Sequence, residues 1–316
     1  GVSESRPDRQ GRGRRLMGFA NVSEWASCMD AGRFHITTFR KQVASAATVA
    51  NDFVDYTYFA GNPVANFYAS SPLEAAHIEA NKGIHLRDVG DSQYIKDFCV
   101  MTVASSETGT SNQNQRLLLA DYLMYYPFVD TDAIGEQQDM VQTVTLPRYA
   151  TEGGQIMCVA QSAASTVGTF TLSYTNQDGV PGRTTQVTYT KAVSGGGAIV
   201  TSNTNSVAGS LPFVGLQAGD KSVLSVESCT FSSPGGGLMA IVIVRPIMHT
   251  LATQGCRRTT TGNLESYGAA THMEALIHMP INEVKRGAVL GVIGLGNAGS
   301  LASSILTGVL TTQWSI

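Results

Sequence analysis

The sequence predicts a mainly β protein, α+β overall, with an antiparallel β-sandwich or jelly-roll-like core and a few short helices in its N-terminal half. Three observations predict it. From Thr169 to Thr190 two alternating runs flank Asn176-Gln177-Asp178-Gly179 and Pro181-Gly182. Phe170, Leu172 and Tyr174 share one face of the first run, Val187 and Tyr189 share one face of the second, and the insert is turn chemistry, so the stretch is a β-hairpin. A lone hairpin is marginal in water, so a larger sheet must surround it. Beyond Thr143 the chain breaks into short apolar or alternating runs separated by Gly, Ser, Asn and Pro, the spacing of a sandwich or jelly roll rather than of βαβ units. Finally, Leu238 to Val244, LMAIVIV, is apolar on both faces, as a central strand covered on both sides would be.

Taken in order, the chain starts with Arg6, Arg9, Arg12, Arg14 and Arg15, set among Gly and Pro and nearly without apolar neighbours. Such a segment cannot build a core. Residues 1–16 read as an arm that reaches onto a neighbouring subunit or onto nucleic-acid phosphate, and the body begins near Met17. Val22, Trp25, Ala26 and Met29 fall on one helical stripe; Asn21 and Glu24 have capping-box spacing and Gly32 follows, which predicts a short helix. Phe34 and Ile36, then Phe53, Tyr56 and Tyr58, are strand-like and lead to the Gly61-Asn62-Pro63 turn. Ser71-Pro72-Leu73-Glu74 is a capping box with Pro at the first helical position, and Gly83 closes the predicted helix. A strand follows from Tyr94 to Val103. The stretch 115–130, QRLLLADYLMYYPFVD, fits either a helix or a buried strand pair; its length and the Leu118, Tyr122, Tyr125 spacing favour a helix stopped near Pro127.

Past Thr143 strands are predicted at Val144 to Leu146, Gln155 to Ala160, the two arms of the hairpin, Ala198 to Thr201, Val223 to Phe231 and Leu238 to Val244, the last ended by Arg245-Pro246. HMEALIHMP reads as a short strand. The final run, Ile305 to Ile316, reads as a strand with Leu306, Leu310 and Trp314 on one face, pairing back into a sheet or onto a neighbour. The segments are therefore an arm (1–16), an α+β part (17–142), a β-sandwich core (143–250) and a C-terminal extension (251–316).

Composition narrows the function. Charged residues make up 14% of the 316, against about 25% in an average soluble domain, so much of the surface is expected to lie against neighbouring copies. The net charge of −3 predicts neither a nucleic-acid binder nor a membrane-surface protein, apart from the arm. No apolar run is long enough to span a bilayer, and the polar first 15 residues are not a signal peptide. Cys28, Cys99, Cys158, Cys229 and Cys256 are odd in number and lack any C-x-x-C; they read as reduced and mostly buried, made in a cytoplasm.

Motifs that could carry chemistry are incomplete. Gly294, Gly296 and Gly299 form a G-x-G-x-x-G after an apolar run, but the remaining 17 residues hold no acid, so a Gly-rich turn between two strands is expected instead of a dinucleotide site. Asp130, Asp132 and Gly135 echo a calcium loop, yet Ile134 and Val141 occupy two ligand positions. His272, Glu274 and His278 share a strand face but are spread too far along it for one ion within a chain. Asp52 with Asp55, and Asp88 with Asp91, read as exposed loop or edge acids. No nucleophile motif stands in a usable context. The expectation is a non-enzyme without cofactor or metal.

ADYLMYYPFVD, VTLPRY, GGQIMCVAQ and FTLSYTNQDGV, within residues 17–250, resemble structural proteins of tailed bacteriophages. The resemblance implies a virion component present in many copies, whose partners are itself and other virion proteins. Within that class a capsid or head-decoration (cement) protein is expected, since no long spine helix of the tailed-phage major capsid type is visible. The alternative is a tail or receptor-binding β protein that recognises or cleaves surface polysaccharide. The interface candidates are Arg6, Arg9, Arg12, Arg14 and Arg15 on the arm, Tyr125, Tyr126 and Trp314 as aromatic anchors, and Asp178 and Gly179 at the hairpin turn.

Overall fold

The computed structural model describes residues 19, 22–42, 53–103, 115–164, 168–189, 195–201, 212–252, 254–258, 264–266, 270–273, 282–295 and 305–315. They begin with helix α1 (Val22–Asp30) and strands β1 (Phe34–Gln42), β2 (Phe53–Asp55), β3 (Ala60–Asn62) and β4 (Gln93–Val103). Next come β5 (Gln115–Asp130), β6 (Gln137–Asp139), β7 (Gln155–Ala160), β8 (Gly168–Asn176), β9 (Arg183–Tyr189) and β10 (Val223–Ser233). The chain continues through β11 (Leu238–Ala252), β12 (Gln254–Arg258), β13 (Leu264–Ser266), β14 (Ala270–Met273), β15 (Glu283–Val284), β16 (Leu290–Leu295) and β17 (Ile305–Gln313).

Two long strands, β5 and β11, organise these elements. They pair antiparallel along their whole length and form the middle of a five-stranded sheet ordered β2-β16-β5-β11-β7. Because β5 and β11 each outrun an ordinary strand of 5–6 residues, one face of this sheet has room for two partners. At one end it covers a four-stranded sheet, β6-β10-β8-β9: Leu123, Tyr126, Val129, Met239, Ile241 and Ile243 meet Phe170, Leu172, Tyr174, Cys229 and Phe231 in one core. At the other end Leu117, Leu119, Met248, Leu290 and Val292 meet Phe39, Ile95, Phe98, Val100, Leu306 and Leu310 of an eight-stranded sheet built on β4, β17 and β1. The opposite face carries Leu118, Ala120, Tyr122, Met157, Ala240, Val242 and Val244 beneath Phe53, Tyr68, Ile78 and Ile199. The fold is thus a mainly antiparallel β-sandwich, β12 with β4 being a parallel pair. The expected boundaries at 142 and 250 run through the five-stranded sheet, which draws strands from all three folded segments.

Several expectations need correction. Residues 115–130 are strand, not helix. With both faces of the sheet buried, the run shows no alternation, and its length was the misleading signal. The two prolines taken as stops lie inside strands. Pro127 sits where β5 gains a residue between Tyr126 and Val129 against Ile241 and Met239, next to Phe128 at φ 57°. Pro246 is followed by another irregularity of the same pair, between Pro246 and Met248. At a bulge the ladder is already broken, so the missing N–H of proline costs little.

Of the helix expected over 71–83 only a single 3-10 turn forms, Ala80–Lys82, closed by Gly83. Leu73 has φ 60°; its N–H donates to Pro127 O, that of Ala75 to Val141 O, and Ala76 exchanges two bonds with Tyr125. These long-range bonds replace the helical ones and hold the segment extended. Val144 to Leu146 forms no strand, and Ala198 and Ile199 make only isolated bridges.

Other expectations hold. The hairpin pairs Phe170 with Val187 and Tyr174 with Arg183, and β8 alternates buried and half-buried residues throughout. β11 is central and β7 has the predicted bounds. α1 ends as expected, with Gly32 at φ 68° and the N–H of Arg33 bonded to Cys28 O, a left-handed closure that glycine adopts without strain. β17 pairs with both β1 and β4, so the C-terminal run completes the chain's own sheet. The strand expected at HMEALIHMP is described only in β14, and the glycine-rich turn after Leu295 lies outside the described residues.

Candidate functional site

Among the described residues, the hairpin turn is the one predicted contact region that the structure leaves in solvent. Asp178 and Gly179 are exposed, and Val180 beside them is 47% exposed. Its base is held firmly. The Asp220 carboxylate accepts from Tyr174 Oη at 2.7 Å, Asn176 Nδ2 at 2.8 Å and Arg183 Nε at 2.9 Å. Glu227 accepts from the hydroxyls of Ser173 and Thr175 and from the Gly182 N–H. Asn176 Oδ1 accepts from the N–H groups of Asp178 and Val180, closing the turn on itself. The tip is therefore presented in one conformation.

Arg183, Asn176 and Tyr174 together hold the Asp220 carboxyl down, to about 2 from an ordinary 3.8. A depressed folded-state pKa means that this contribution to stability is complete above the ordinary carboxylate range and is lost as pH falls from about 4 through about 2. In Asp220→Asn the loss of stability between pH 4 and pH 2 is expected to shrink relative to wild type, as read by urea unfolding at both pH values. An identical acid limb in the variant would show that Asp220 does not carry it.

The other candidates sit differently. Tyr126 is 0% and Tyr125 6% exposed, so both belong to the chain's own cores and are not free to anchor a neighbour. Tyr126 Oη donates to Gln142 Oε1 and accepts from the Val226 N–H, which joins the two sheets of the first core. Trp314 is half-buried, with the Arg87 guanidinium 5.6 Å from its ring centroid. Arg6, Arg9, Arg12, Arg14 and Arg15 lie outside the described residues. Asp130 and Asp132 cap a surface loop, accepting from the N–H groups of Asp132 and Gly236. His272 is described only in its backbone, and Glu274 and His278 lie outside the described residues.

Two buried polar centres escaped the sequence reading. The first surrounds Asp55, read from sequence as an exposed acid but 0% exposed. Oδ1 accepts from the Thr57 N–H at 2.9 Å, Thr57 Oγ1 at 2.7 Å and Tyr122 Oη at 2.7 Å; Oδ2 accepts from Tyr68 Oη. Burial pushes its carboxyl up, opposed by these hydrogen bonds. Nearby, Lys41 is 3% exposed and donates to the carbonyls of Pro63 at 2.6 Å, Phe59 at 3.2 Å and Val64 at 3.3 Å. Burial draws its ammonium down to about 8, the Asp55 charge opposing. Two signals could have found this centre: Lys41 follows Phe39 in the period-2 pattern of β1, and Asp55 stands inside the aromatic run FVDYTYF.

The second centre is Asp121 with Arg148. Asp121 lies between Leu119 and Leu123 on one face of β5, at the junction of the two cores. Arg148 Nε and Nη2 each donate to it at 2.7 Å, and the Val289 N–H adds a third bond at 2.9 Å. Burial raises the Asp121 carboxyl, and the guanidinium pulls against it. Beside the pair, Arg245 stacks 5.4 Å from the Tyr149 ring centroid. Neither centre opens onto a substrate-sized cleft among the described residues. No helix there is long and apolar enough to cross a membrane.

No family model matches the chain, and no curated protein matches it. Among solved structures, two that superpose are T=1 particles derived from infectious bursal virus and T=1 particles of a mutant VP2 protein of infectious bursal disease virus. Each is 9% identical and covers 89% of this chain and 78% of the other, with a TM-score of 0.20. A superposition at that score does not amount to a shared fold.

Proposed function

We propose that the chain is a structural protein of a bacteriophage virion that assembles in many copies, as a capsid or head-decoration protein, and that its work is assembly rather than catalysis. The observation that carries this reading is the uncharged character of the sandwich's outer edge. β9 ends the four-stranded sheet, and its Thr184, Gln186 and Thr188 are exposed. Its one charged residue, Arg183, is engaged by Asp220. Among the described residues, the loop at 215–217 crosses only the start of this edge, at Thr184 and Thr185. Soluble monomers guard such edges with lysine, proline or a covering element, whereas an edge of uncharged polar residues suits repeated contact between copies. The rigid turn with Asp178, Gly179 and Val180 supplies a second contact, and the arginine-rich arm a third, onto a neighbour or nucleic acid.

The purified chain is expected to form oligomers or particles by light scattering, sedimentation and negative-stain microscopy. In its native setting it should co-sediment with DNA-filled particles at a fixed, high stoichiometry. A chain that stays monomeric at high concentration and is missing from particles would overturn the reading.

A further inference from the structure

We propose that the arginine-rich arm folds back on its own protomer before assembly: Arg14 and Arg15 dock in a cleft beside the start of β4 and pair with Asp91, which parks the arm away from a neighbour or nucleic acid. The proposal rests on the reading of residues 1–16 as an arm. It starts from the point at which that arm joins the described fold. Phe19 is 5% exposed and packs edge-on against Tyr94, with ring centroids 5.3 Å apart. Arg15 precedes Phe19 by four residues, which span at most about 14 Å of extended chain. The arm therefore leaves the fold at Tyr94, and its last two arginines stay within reach of what surrounds that residue.

Those surroundings are acidic. Glu283 stands directly opposite Tyr94 in the β4–β15 pair, and Asp91 lies three residues before it. Burial first, then the charges of Glu283 and Asp91, raise the Tyr94 hydroxyl, so both carboxylates bear on the ring that anchors Phe19. Beside them opens a cleft of about 180 Å³, room for a side chain rather than for a single water. Ile84, Leu86, Asp88, Asp91, Arg286 and Ala288 are among its lining residues.

The charges already present leave one place for a guanidinium. Asp88 is taken by Arg286, which donates to it through Nε at 3.1 Å and Nη2 at 3.0 Å. Glu283 is taken by Lys285 at 2.9 Å, and the Arg87 guanidinium lies over the Trp314 ring. Asp91 accepts from the Ser92 N–H at 2.7 Å and pairs with no basic side chain among the described residues. An arginine fork meets such a carboxylate with two parallel N–H donors. Its stem would lie along Ile84, Leu86 and Ala288, as long basic side chains do on apolar surface. Five arginines against Glu4 and Asp8 leave the first 16 residues strongly basic, so the attraction acts at a distance when salt is low. An exposed pair of this kind is weak. A neighbouring copy or a phosphate backbone that offers the arm more contacts would draw it off, so release is coupled to assembly.

Trypsin cleaves after accessible arginines, and its rate at Arg14 and Arg15 in the full chain tests the docking. Cleavage read by mass spectrometry is expected to be about fivefold slower in the wild type than in Asp91→Asn at about 0.01 M salt, and equal in the two at about 1 M, where such pairs are screened. The ratio should hold on dilution, since the contact lies within one protomer, and circular dichroism checks that the variant folds. A second measurement does not depend on the protease. In the full chain carrying Arg14→Lys and Arg15→Lys, a carbodiimide, which joins an amine to a carboxylate in contact with it, is expected to link the arm to the peptide containing Asp91. Equal cleavage of the wild type and Asp91→Asn at low salt overturns the proposal, as does a link that maps only to carboxylates outside the cleft. A ratio that collapses on dilution also overturns it, because the arm would then lie on another copy, an outcome that leaves the assembly reading standing. Uniformly slow cleavage in both proteins at both salt concentrations removes the arm reading itself, and the proposal with it.

Discussion

Replacing Arg148 by alanine is expected to destabilise the protein by about 3–5 kcal/mol, the cost of leaving one member of a buried ion pair alone. The Asp121 side chain is 0% exposed and that of Arg148 12%, so solvent cannot stand in for the guanidinium. Two 2.7 Å hydrogen bonds vanish together, leaving the carboxylate with the Val289 N–H alone. The variant should acquire a pH dependence of known sign. Burial already raises the Asp121 carboxyl, and without Arg148 nothing comparable opposes it. A folded-state pKa raised above the unfolded one penalises the folded protein above that pKa and relieves it as pH falls through it. Arg148→Ala should therefore recover part of its loss on going from pH 7 to pH 5. Replacing the pair together, Asp121→Leu with Arg148→Met, should cost far less than the single change, because no charge is left buried. Urea denaturation of the three proteins at both pH values checks this, and a single variant within 1 kcal/mol of wild type would refute the role given to the pair.

The position of this pair shows what the sequence could and could not convey. Strands with one half-exposed face were legible, because alternation survives in them: β8 and β4 follow their predicted bounds to within a residue or so, while β7, buried throughout, was legible as a short apolar run. β5 was not legible, because Leu117, Leu118, Leu119 and Ala120 are all buried and successive residues point into different cores. Its length and the Leu118, Tyr122, Tyr125 spacing then read as helical, although Asp121 is where two packing units meet. Prolines misled in the same way. Pro127 and Pro246 break the ladder only locally, at bulges that depend on the partner strand's register, and no reading of one strand by itself contains that register. The candidate site divides likewise. The turn at Asp178 and Gly179 was written in local chemistry, whereas Lys41 and Asp55 approach each other from β1 and β2, strands of two different sheets. The exposed aromatic anchors expected at Tyr125 and Tyr126 failed for the opposite reason: aromatic residues serve an interface or a core equally well, and here the core takes them.

Phe170→Ala is expected to cost a similar amount, about 3–5 kcal/mol, as for other large-to-small changes at an aromatic core position. Phe170 and Phe231 are both 0% exposed and stand directly opposite each other in the β8–β10 register. Their ring centroids are 5.0 Å apart, so truncation removes the burial of one ring and the contact of the other. Relaxation into the gap is restricted. The five-stranded sheet above them is held from its far side by a second core, and the four-stranded sheet is pinned through Tyr126 to Val226 and Gln142. A cavity that cannot collapse places the cost toward the top of the range. The assembly reading gives the same variant a second consequence. If the hairpin tip and the β9 edge are contact surfaces, loosening β8 should lower assembly by more than the loss of folded protein alone explains. Thr188→Ala, on the exposed face of β9, should leave stability within about 0.5 kcal/mol of wild type and yet weaken assembly. Paired measurements of urea stability and of particle yield on the two variants separate these effects. Particle yield that simply tracks the folded fraction in both variants would remove this edge from the contact surface.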